Sequence, residues 1–417
     1  MKIAVNAERL ASEIETLATF SDAEPPAVTR VVFSEQDLRA RTWLKARCAE
    51  AGLVVREDAV GNTFIRWQGS RPALPAVATG SHIDAIPHSG KYDGIVGVLG
   101  GLEAIRALQQ SGFQPERSIE LIQFTAEEPT RFGVGCIGSR LLCGALGPES
   151  DEQLRGEEDE TLRVVRTRAG FSGDLASVRL PPNHYAAFVE LHIEQGPILE
   201  QDGIPIGIVT NIAAPASFFL TLEGLGGHAG GVLMPDRRDA LCAAAEIISR
   251  IETLARTSGS VDTVATVGIC DVHPGAINSI PSRVRLGVDL RDTNGERRNS
   301  VLRAILNAAE EIARQRQIQV QTKMLNADQP ATASPVILDA IARACDQEAL
   351  PSRKIVARAY HDSSFMAQIA PMAMIFIPCR GGVSHRPDEY AAPDDIVAGV
   401  RVLARTLAEL SQMAAVS

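Results

Sequence analysis

A change of pattern near residue 212 divides this chain. Before it, short apolar runs such as PAVATG (75–80) alternate with helical spacing such as IVGVLGGLEAIRALQQ (95–110). That alternation predicts an α/β sheet with ligands at its strand ends. After it, SFFLTLEGLGG (217–227), RRDALCAAAEIISRIETLA (237–255), VDTVATVGICDV (261–272), SRVRLGVDLRD (282–292), residues 296–316 and IQVQTKML (318–325) read strand, helix, strand, strand, helix, strand. This is the split βαβ plan, a four-stranded antiparallel sheet with two helices. From about 330 the first pattern returns, with a strand at AMIFIPC (373–379) and a helix at 393–412. The chain is therefore expected to hold an α/β domain of residues 1–211 and 330–417, a mixed sheet flanked by helices. An α+β, ferredoxin-like domain of residues 212–329 is inserted into it.

Other elements follow the same reading: a helix at 37–51, a hairpin at 53–68 turning at Gly61–Asn62, and strands at 118–128 and 185–196. The charged stretch from about 150 to 180 reads as solvated helix and loop. A net charge of -10 speaks against a nucleic-acid partner. No apolar run approaches the roughly 20 residues of a membrane span, which argues against a membrane partner. The opening MKIAVNAERLASEIETLATFSD reads as an amphipathic helix and not as a secretory signal. Seven scattered cysteines without a CxxC fit buried free thiols in a reducing compartment, so a cytoplasmic location is expected.

Two of the eight histidines fall in GSHIDAIPHSGKYDG (80–94), beside aspartates and glycines. His82 and Asp84 follow one predicted strand, and Asp93 opens the next helix. Glu127 and Glu128 end a second strand. His192 and Glu194 end a third, and His385 follows a fourth across a Gly-Gly loop. Carboxyl ends of parallel strands converge, so these segments can meet in one crevice. Any one of these histidines alone reads as an ordinary hydrogen-bonded residue. Two adjacent buried carboxylates, however, repel each other unless a cation sits between them. Imidazoles and carboxylates without thiolate suit Zn²⁺, Mn²⁺ or a similar ion. One of two adjacent glutamates can hold metal while the other accepts a proton from water. An aspartate between two half-sites can bridge two ions. Asp84, two residues after His82, is expected to fix that histidine's tautomer.

These motifs resemble the amidase/hydantoinase/carbamoylase branch of the dinuclear-metal exopeptidase superfamily. The resemblance spans essentially the whole chain and rests on GSHIDAIPHSGKYDG, FTAEEPTRFGVGCIGSR, ELHIEQGPILE, GGHAGGVLMPDRRDA, HPGAINSIPSRV, RAYHDSSFMA and VSHRPDEY. It implies a metal-dependent exopeptidase-like fold and two divalent ions per subunit: Zn²⁺ or Mn²⁺, with Co²⁺ or Ni²⁺ as alternatives. His82, Asp93 and His192 would hold one ion, and Asp93, Glu128 and His385 the other, with Asp93 bridging. Glu127 would be the general base, and a cis peptide would follow Asp93. Gln195, His228, Asn278, Arg291 and His361 match substrate-contact positions. Arg291 would hold a carboxylate unless it is spent on Asp289 or Asp292, and His228 would donate to the developing oxyanion. In relatives the position of His228 reaches the other subunit's active site, which implies a homodimer through the inserted domain. His88, His184 and His273 are read as structural. Asn211–Ala214 and Asp328–Ala331 are candidate hinges for a closing lid.

Within that branch, AIPHSGKYDG, EEPTRFG, TNIAAPAS and RAYHDSSFMA look most like ureidoglycolate amidohydrolases. Carbamoylases and allantoate hydrolases usually carry Gly-Ala-Gly-His-Asp where this chain has Arg358-Ala359-Tyr360-His361-Asp362. A tyrosine there would fill part of the pocket and favour a small ureido acid. The resemblance thus implies hydrolysis of ureidoglycolate to glyoxylate, ammonia and carbon dioxide. N-carbamoyl-L-amino acids and allantoate remain alternative substrates. An exopeptidase, an N-acyl amino-acid hydrolase and a metal-free binding relative are the other classes weighed.

Overall fold

The computed structural model describes residues 3–413. Chain contacts divide it into two units. One holds the chain up to Thr210, Thr332–Ala357 and the chain from His361 on. The other holds Asn211–Ala331 with Arg358–Tyr360.

The larger unit is built on a mixed sheet. Four strands are parallel neighbours, in the order Met372–Ile377, Tyr185–Ile193, Ala76–His82, Ile119–Phe124. Thr63–Trp67 and Val54–Glu57 extend one side antiparallel, and Ile206–Ile212 extends the other. Ala76–His82, Ile119–Phe124 and Met372–Ile377 are buried along their whole length. Such strands read as continuous apolar runs because both faces are covered. Helices Ile95–Gln110, Pro335–Gln347 and Pro393–Gln412 supply apolar side chains to the core on these strands.

Chain order fixes where a ligand belongs. From Ala76–His82 the chain passes to Ile119–Phe124 on one side, then to Tyr185–Ile193 on the other. The reversal makes a crevice between the carboxyl ends of Ala76–His82 and Tyr185–Ile193, the switch point where open α/β sheets bind ligands. Helix Ile95–Gln110 starts beside it and lies very close to the sheet. A Cβ at Gly97 would fall 2.5 Å from the Leu191 carbonyl oxygen and 2.6 Å from Ser81 Cβ. Gly97→Ala is therefore expected to destabilise the protein by about 1–3 kcal/mol through overpacking. An unchanged urea midpoint would contradict that close approach.

The second unit has the expected split βαβ order. Its antiparallel sheet runs Val264–His273, Arg283–Asp292, Ala214–Glu223, Gln319–Ala327. Phe218, Leu220 and Leu222 alternate inward along one strand, and Val284, Leu286, Val288 and Leu290 along the next. They pack on Ile247 and Ile251 of helix Ala240–Arg256 and on Val301 and Ile305 of helix Gly295–Gln315. The two outer strands carry exposed apolar residues, Val264 and Ile269 on one and Met324 and Leu325 on the other.

Several elements differ from the sequence reading. The strand expected to run to residue 128 stops at Phe124, because the Thr125 N–H turns to Asn62 Oδ1 (2.9 Å). The strand expected to reach 227 stops at Glu223, and Gly227–His228 pairs instead with Ser279–Ile280. Strands Ile206–Ile212 and Ser352–Ala357 and helix Pro335–Gln347 had no counterpart in that reading. Among the described residues no helix is long and apolar enough to cross a membrane.

Candidate active site

The crevice gathers five donors from four strand ends and one helix start. His82 ends its strand, His192 is the penultimate residue of the next, and both rings are buried. The rings lie 6.1 Å apart, and each Nε2 points at Asp93 Oδ1, at 3.5 Å from His82 and 3.2 Å from His192. On the other side, His385 Nε2 lies 3.4 Å from Asp93 Oδ2 and 3.2 Å from Glu128 Oε1. The two oxygens of one carboxylate thus face two separate donor groups. His82, Asp93 and His192 form one group, with ligand atoms within 4.8 Å of one another, Asp93, Glu128 and His385 form another, and Glu190, His192 and His361 a third.

The backbone is shaped to allow this. Gly94 has φ +69°, and a Cβ there would lie 2.5 Å from His82 Nε2. Only glycine combines that backbone with that proximity. Ala126, Cys136, Gln195 and His385 also have positive φ. Four non-glycine residues in this sparsely populated region, all at or beside the crevice, mark a site held in place by its surroundings. The Asp93–Gly94 peptide is trans, against the expectation of a cis bond, since the cis bonds among the described residues are Pro25–Pro26 and His273–Pro274. The left-handed Gly94 makes the turn, and a non-proline cis bond would cost about 3–4 kcal/mol more.

Asp84 works differently from the expectation. The His82 tautomer is set by the Asp84 main chain, whose carbonyl lies 2.9 Å from Nδ1. Its buried carboxylate accepts the N–H groups of Glu127 (3.3 Å) and Glu128 (3.1 Å) instead. The side chain reaches across to the next strand end because two unpaired N–H groups there need an acceptor. His192 is oriented in the same way as His82, by the Ile193 carbonyl at 2.9 Å from Nδ1.

The electrostatics call for positive charge. Burial would raise the Asp93 carboxyl, but bonds to His192, His385 and His82 carry it well below its ordinary value. Burial would lower His82 and His192, yet both rise because Glu127, Asp93 and neighbouring carboxylates surround them. His385 is pushed up to about 11 by Asp93 and Glu128. Burial raises the Glu127 carboxyl well above its usual range, with His82 opposing and Glu128 adding. Without cations, the three raised imidazoles are the groups that answer the carboxylate charge. This donor set, rich in imidazole and carboxylate, fits two divalent ions. Burial, with Glu127 adding, pushes the nearby Cys136 thiol up, and Cys136 lies outside the donor groups.

A pH dependence follows. The folded pKa of His385 lies above its ordinary 6.5, so its stabilising charge, reduced by solvent screening at a side chain 46% exposed, is present below pH 6.5 and is lost toward about 11. Asp362, raised by burial to about 8, also favours its protonated form and changes stability in the same direction. Chelator-treated protein is therefore expected to lose melting temperature between about pH 6.5 and 9. The rise on adding Mn²⁺ should grow over the same window, since binding displaces protons. Calorimetric scans across pH, with and without Mn²⁺, check both trends.

The remaining expected contacts divide between the two units. In the larger unit, Gln195 Nε2 donates to Asp93 Oδ2 (2.6 Å), so its amide N–H is committed to Asp93, while its buried Oε1 has no partner. His361 is buried edge-on against His192, with ring centroids 4.5 Å apart, and its Nε2 has no partner. Burial, then the charge on His192, holds it well below its ordinary value, so it is a neutral ring. In the second unit His228 is exposed and its Nδ1 accepts the Gly230 N–H, while the Asn278 carbonyl accepts the N–H of Ala229. Arg291 Nε donates to Asp289 Oδ1 (2.7 Å), the surface ion pair weighed from the sequence. Arg291 and Asp289 are two apart on one strand and share a face. Glu194 is no donor of the cluster; its carboxylate caps helix Ile198–Asp202 through the N–H groups of Ile198 and Leu199. Among the described residues His88, His184 and His273 lie outside every donor group.

Sequence reasoning missed several polar residues around the cluster. Cys136 Sγ lies 3.5 Å from Glu127 Oε1. Glu190 accepts the hydroxyls of Ser81 and Ser363 beneath His192. Ser384 and Glu389 bracket Asp93. Their only signal was proximity in sequence to a donor: Ser384 precedes His385, and Glu389 follows it by four residues.

Fold and crevice together define an α/β protein whose strand ends carry imidazole and carboxylate groups that could hold metal ions. The chain belongs to peptidase family M20/M25/M40, whose pattern matches residues 78–409. It is 52% identical to a ureidoglycolate hydrolase of Arabidopsis thaliana, over 98% of this chain and 87% of that protein. It is 40% identical to an N-carbamoyl-L-amino acid amidohydrolase of Geobacillus stearothermophilus, over 98% of this chain and 99% of that one. Among solved structures, AtUAH in complex with glyoxylate superposes with a TM-score of 0.88 at 51% identity, covering 99% of each chain.

Proposed function

We propose that this protein hydrolyses the ureido C–N bond of a small ureido acid, ureidoglycolate foremost, releasing glyoxylate, ammonia and carbon dioxide. The observation that carries the reaction type is Asp93, one oxygen toward His82 and His192 and the other toward His385, with Glu127 beside it. The 52% identity to a ureidoglycolate hydrolase, over 98% of this chain, supports the substrate. His82, Asp93 and His192 hold one divalent ion, and Asp93, Glu128 and His385 the other. Bound divalent cations lower the pKa of water and polarise a substrate carbonyl.

The protein's own groups do the rest. Glu127 Oε2, the oxygen turned toward His82, takes the proton of the attacking water and returns it to the departing nitrogen. The C–N bond breaks as that nitrogen gains the proton and leaves as ammonia; the carbamic acid that remains loses carbon dioxide, and the resulting hydroxyglycine releases a second ammonia to give glyoxylate. Asp84 keeps Glu127 and Glu128 in register through their N–H groups. His361, neutral and with a free ring nitrogen, and Gln195, with a free carbonyl, offer polar contacts to substrate. His228, whose counterpart in relatives reaches the other subunit's site, donates to the developing oxyanion, Asn278 contacts substrate, and Arg291 exchanges Asp289 for the substrate carboxylate. The metal is Zn²⁺ or Mn²⁺, with Co²⁺ and Ni²⁺ compatible with the same donors. The inserted unit mediates a homodimer and closes over the site, and the enzyme works in the cytoplasm.

A substrate panel tests this reading. Purified protein reconstituted with Mn²⁺ is expected to show kcat/KM for ureidoglycolate at least about tenfold above that for N-carbamoyl-L-amino acids and allantoate, a difference of ~1.4 kcal/mol in transition-state binding. The second reading, an N-carbamoyl-L-amino-acid hydrolase, is favoured by the 40% identity over almost the whole chain. A tenfold preference in its direction would replace the first.

A further inference from the structure

The loop that delivers His385 also brings back a carboxylate with no assigned task. Glu389 is 4% exposed, far from the usual setting of a glutamate. Its Oε1 accepts two main-chain N–H groups, from Tyr92 at 2.8 Å and from Asp93 at 3.1 Å. Its Oε2 lies 2.8 Å from the Ser384 hydroxyl, which also contacts Asp93 Oδ2 at 2.5 Å. The fit around it is tight, since a Cβ at Gly90 would fall 2.3 Å from Glu389 Cβ. Tyr92 and Tyr390 pack edge to face beside it, with centroids 5.9 Å apart. One residue thus grips Asp93 twice, by its main chain directly and by its carboxylate through Ser384. It also ties the loop carrying Asp93 to the loop carrying His385, nearly 300 residues apart in the chain.

We propose that Glu389 is the positioning residue of Asp93, fixing the orientation in which each carboxylate oxygen faces its own donor group. This rests on the reading that Asp93 bridges two cations. A buried acid used only to join two loops would need neither the Asp93 N–H nor the hydroxyl relay to Oδ2. The hydroxyl of Ser384 has a single proton for two carboxylate oxygens, so it satisfies one at a time. Glutamine at 389 would keep the geometry: its oxygen accepts both N–H groups, its amide donates to Ser384, and the hydroxyl proton goes to Asp93. Alanine would remove the clamp and leave two buried N–H groups unpaired.

Calorimetric Mn²⁺ titration of full-length wild type, E389A, E389Q and S384A tests this, with kcat and KM for ureidoglycolate measured alongside. E389A is expected to bind its weaker Mn²⁺ about 10–100-fold less tightly and to lose kcat in proportion, as when partners of metal ligands are removed. KM should stay within about threefold, since Glu389 does not touch substrate. E389Q should restore both metal affinity and kcat to within about threefold of wild type, and S384A should fall between. A merely structural role would lower the melting temperature of chelated protein and leave Mn²⁺ affinity alone. Wild-type titration by E389A overturns the proposal. So does E389Q as weak as E389A, which would make charge rather than hydrogen bonding decisive. Should E389A not fold, S384A decides, and affinity within about twofold of wild type is then the overturning result. Wild type that binds fewer than two Mn²⁺ would instead sink the bridging reading, and this proposal with it.

Discussion

Glu127→Gln is expected to lower kcat by about 10²–10⁴-fold, the usual contribution of a positioned general base, with both Mn²⁺ ions still bound. The substitution is nearly isosteric and removes only the ability to take up a proton. The main chain at this position is held from outside, by the Asp84 carboxylate on the N–H groups of Glu127 and Glu128, so the strand end keeps its shape. Glu128, the neighbour assigned to the metal, is untouched and still faces His385 at 3.2 Å. Glu127 is set apart from the donors by geometry. Its Oε2 lies 3.7 Å from His82 Nε2, and its Oε1 is turned away to Cys136. Its proton affinity is also raised, burial being the main cause, as suits a group that must accept a proton and give it back. Single-turnover kinetics with metal analysis decide the matter. A variant that keeps wild-type kcat would remove Glu127 from the proton path. One that loses metal would make it a ligand.

Much of this site is legible in the sequence, because its donors hang on the ends of strands with strong apolar patterns. PAVATG runs into His82, SIELIQF into Glu127 and Glu128, and YAAFVEL into His192. Strand ends that must converge in a parallel sheet bring their donors with them. The split βαβ unit is equally readable, since its alternation of inward Phe218, Leu220 and Leu222 needs no partner from elsewhere. What escapes has a physical reason in each case. Ser352–Ala357 (SRKIVA) is half polar and only partly buried, so it shows neither period. The Asp84 carboxylate finds acceptor-seeking N–H groups 43 residues away, a meeting set by sheet order. The grip of Glu389 on Asp93 spans 296 residues and has no periodic trace at all. Arg291 shows the converse: its strand position was readable, but whether it pairs with Asp289 or with a ligand is decided by what else is near.

Asp93→Asn is the more drastic change, and it separates two consequences that Glu127→Gln leaves together. An amide presents one oxygen and one nitrogen where the carboxylate presents two oxygens. Whichever way it is turned, one donor group loses its shared ligand. If the nitrogen faces His82 and His192, it meets two ring nitrogens aimed at the same point. If it faces the other way, it meets the Gln195 amide, already a donor to Oδ2. Either way the pair of sites cannot both form, so Mn²⁺ stoichiometry is expected to fall from two to at most one per subunit. Turnover is expected to drop by about 10³-fold or more, beyond the 10–100-fold typical of a supporting residue. The second consequence appears without metal. Asp93 is a principal cause of the raised pKa of His192 and His385 and contributes to that of His82. With that charge gone, all three titrate lower, although Glu128 still raises His385 and Glu127 still raises His82. The chelated variant should then lose less melting temperature between about pH 6.5 and 9 than chelated wild type does. A variant that keeps two tightly bound Mn²⁺ and the wild-type pH profile would show that no single carboxylate joins the two halves of this crevice.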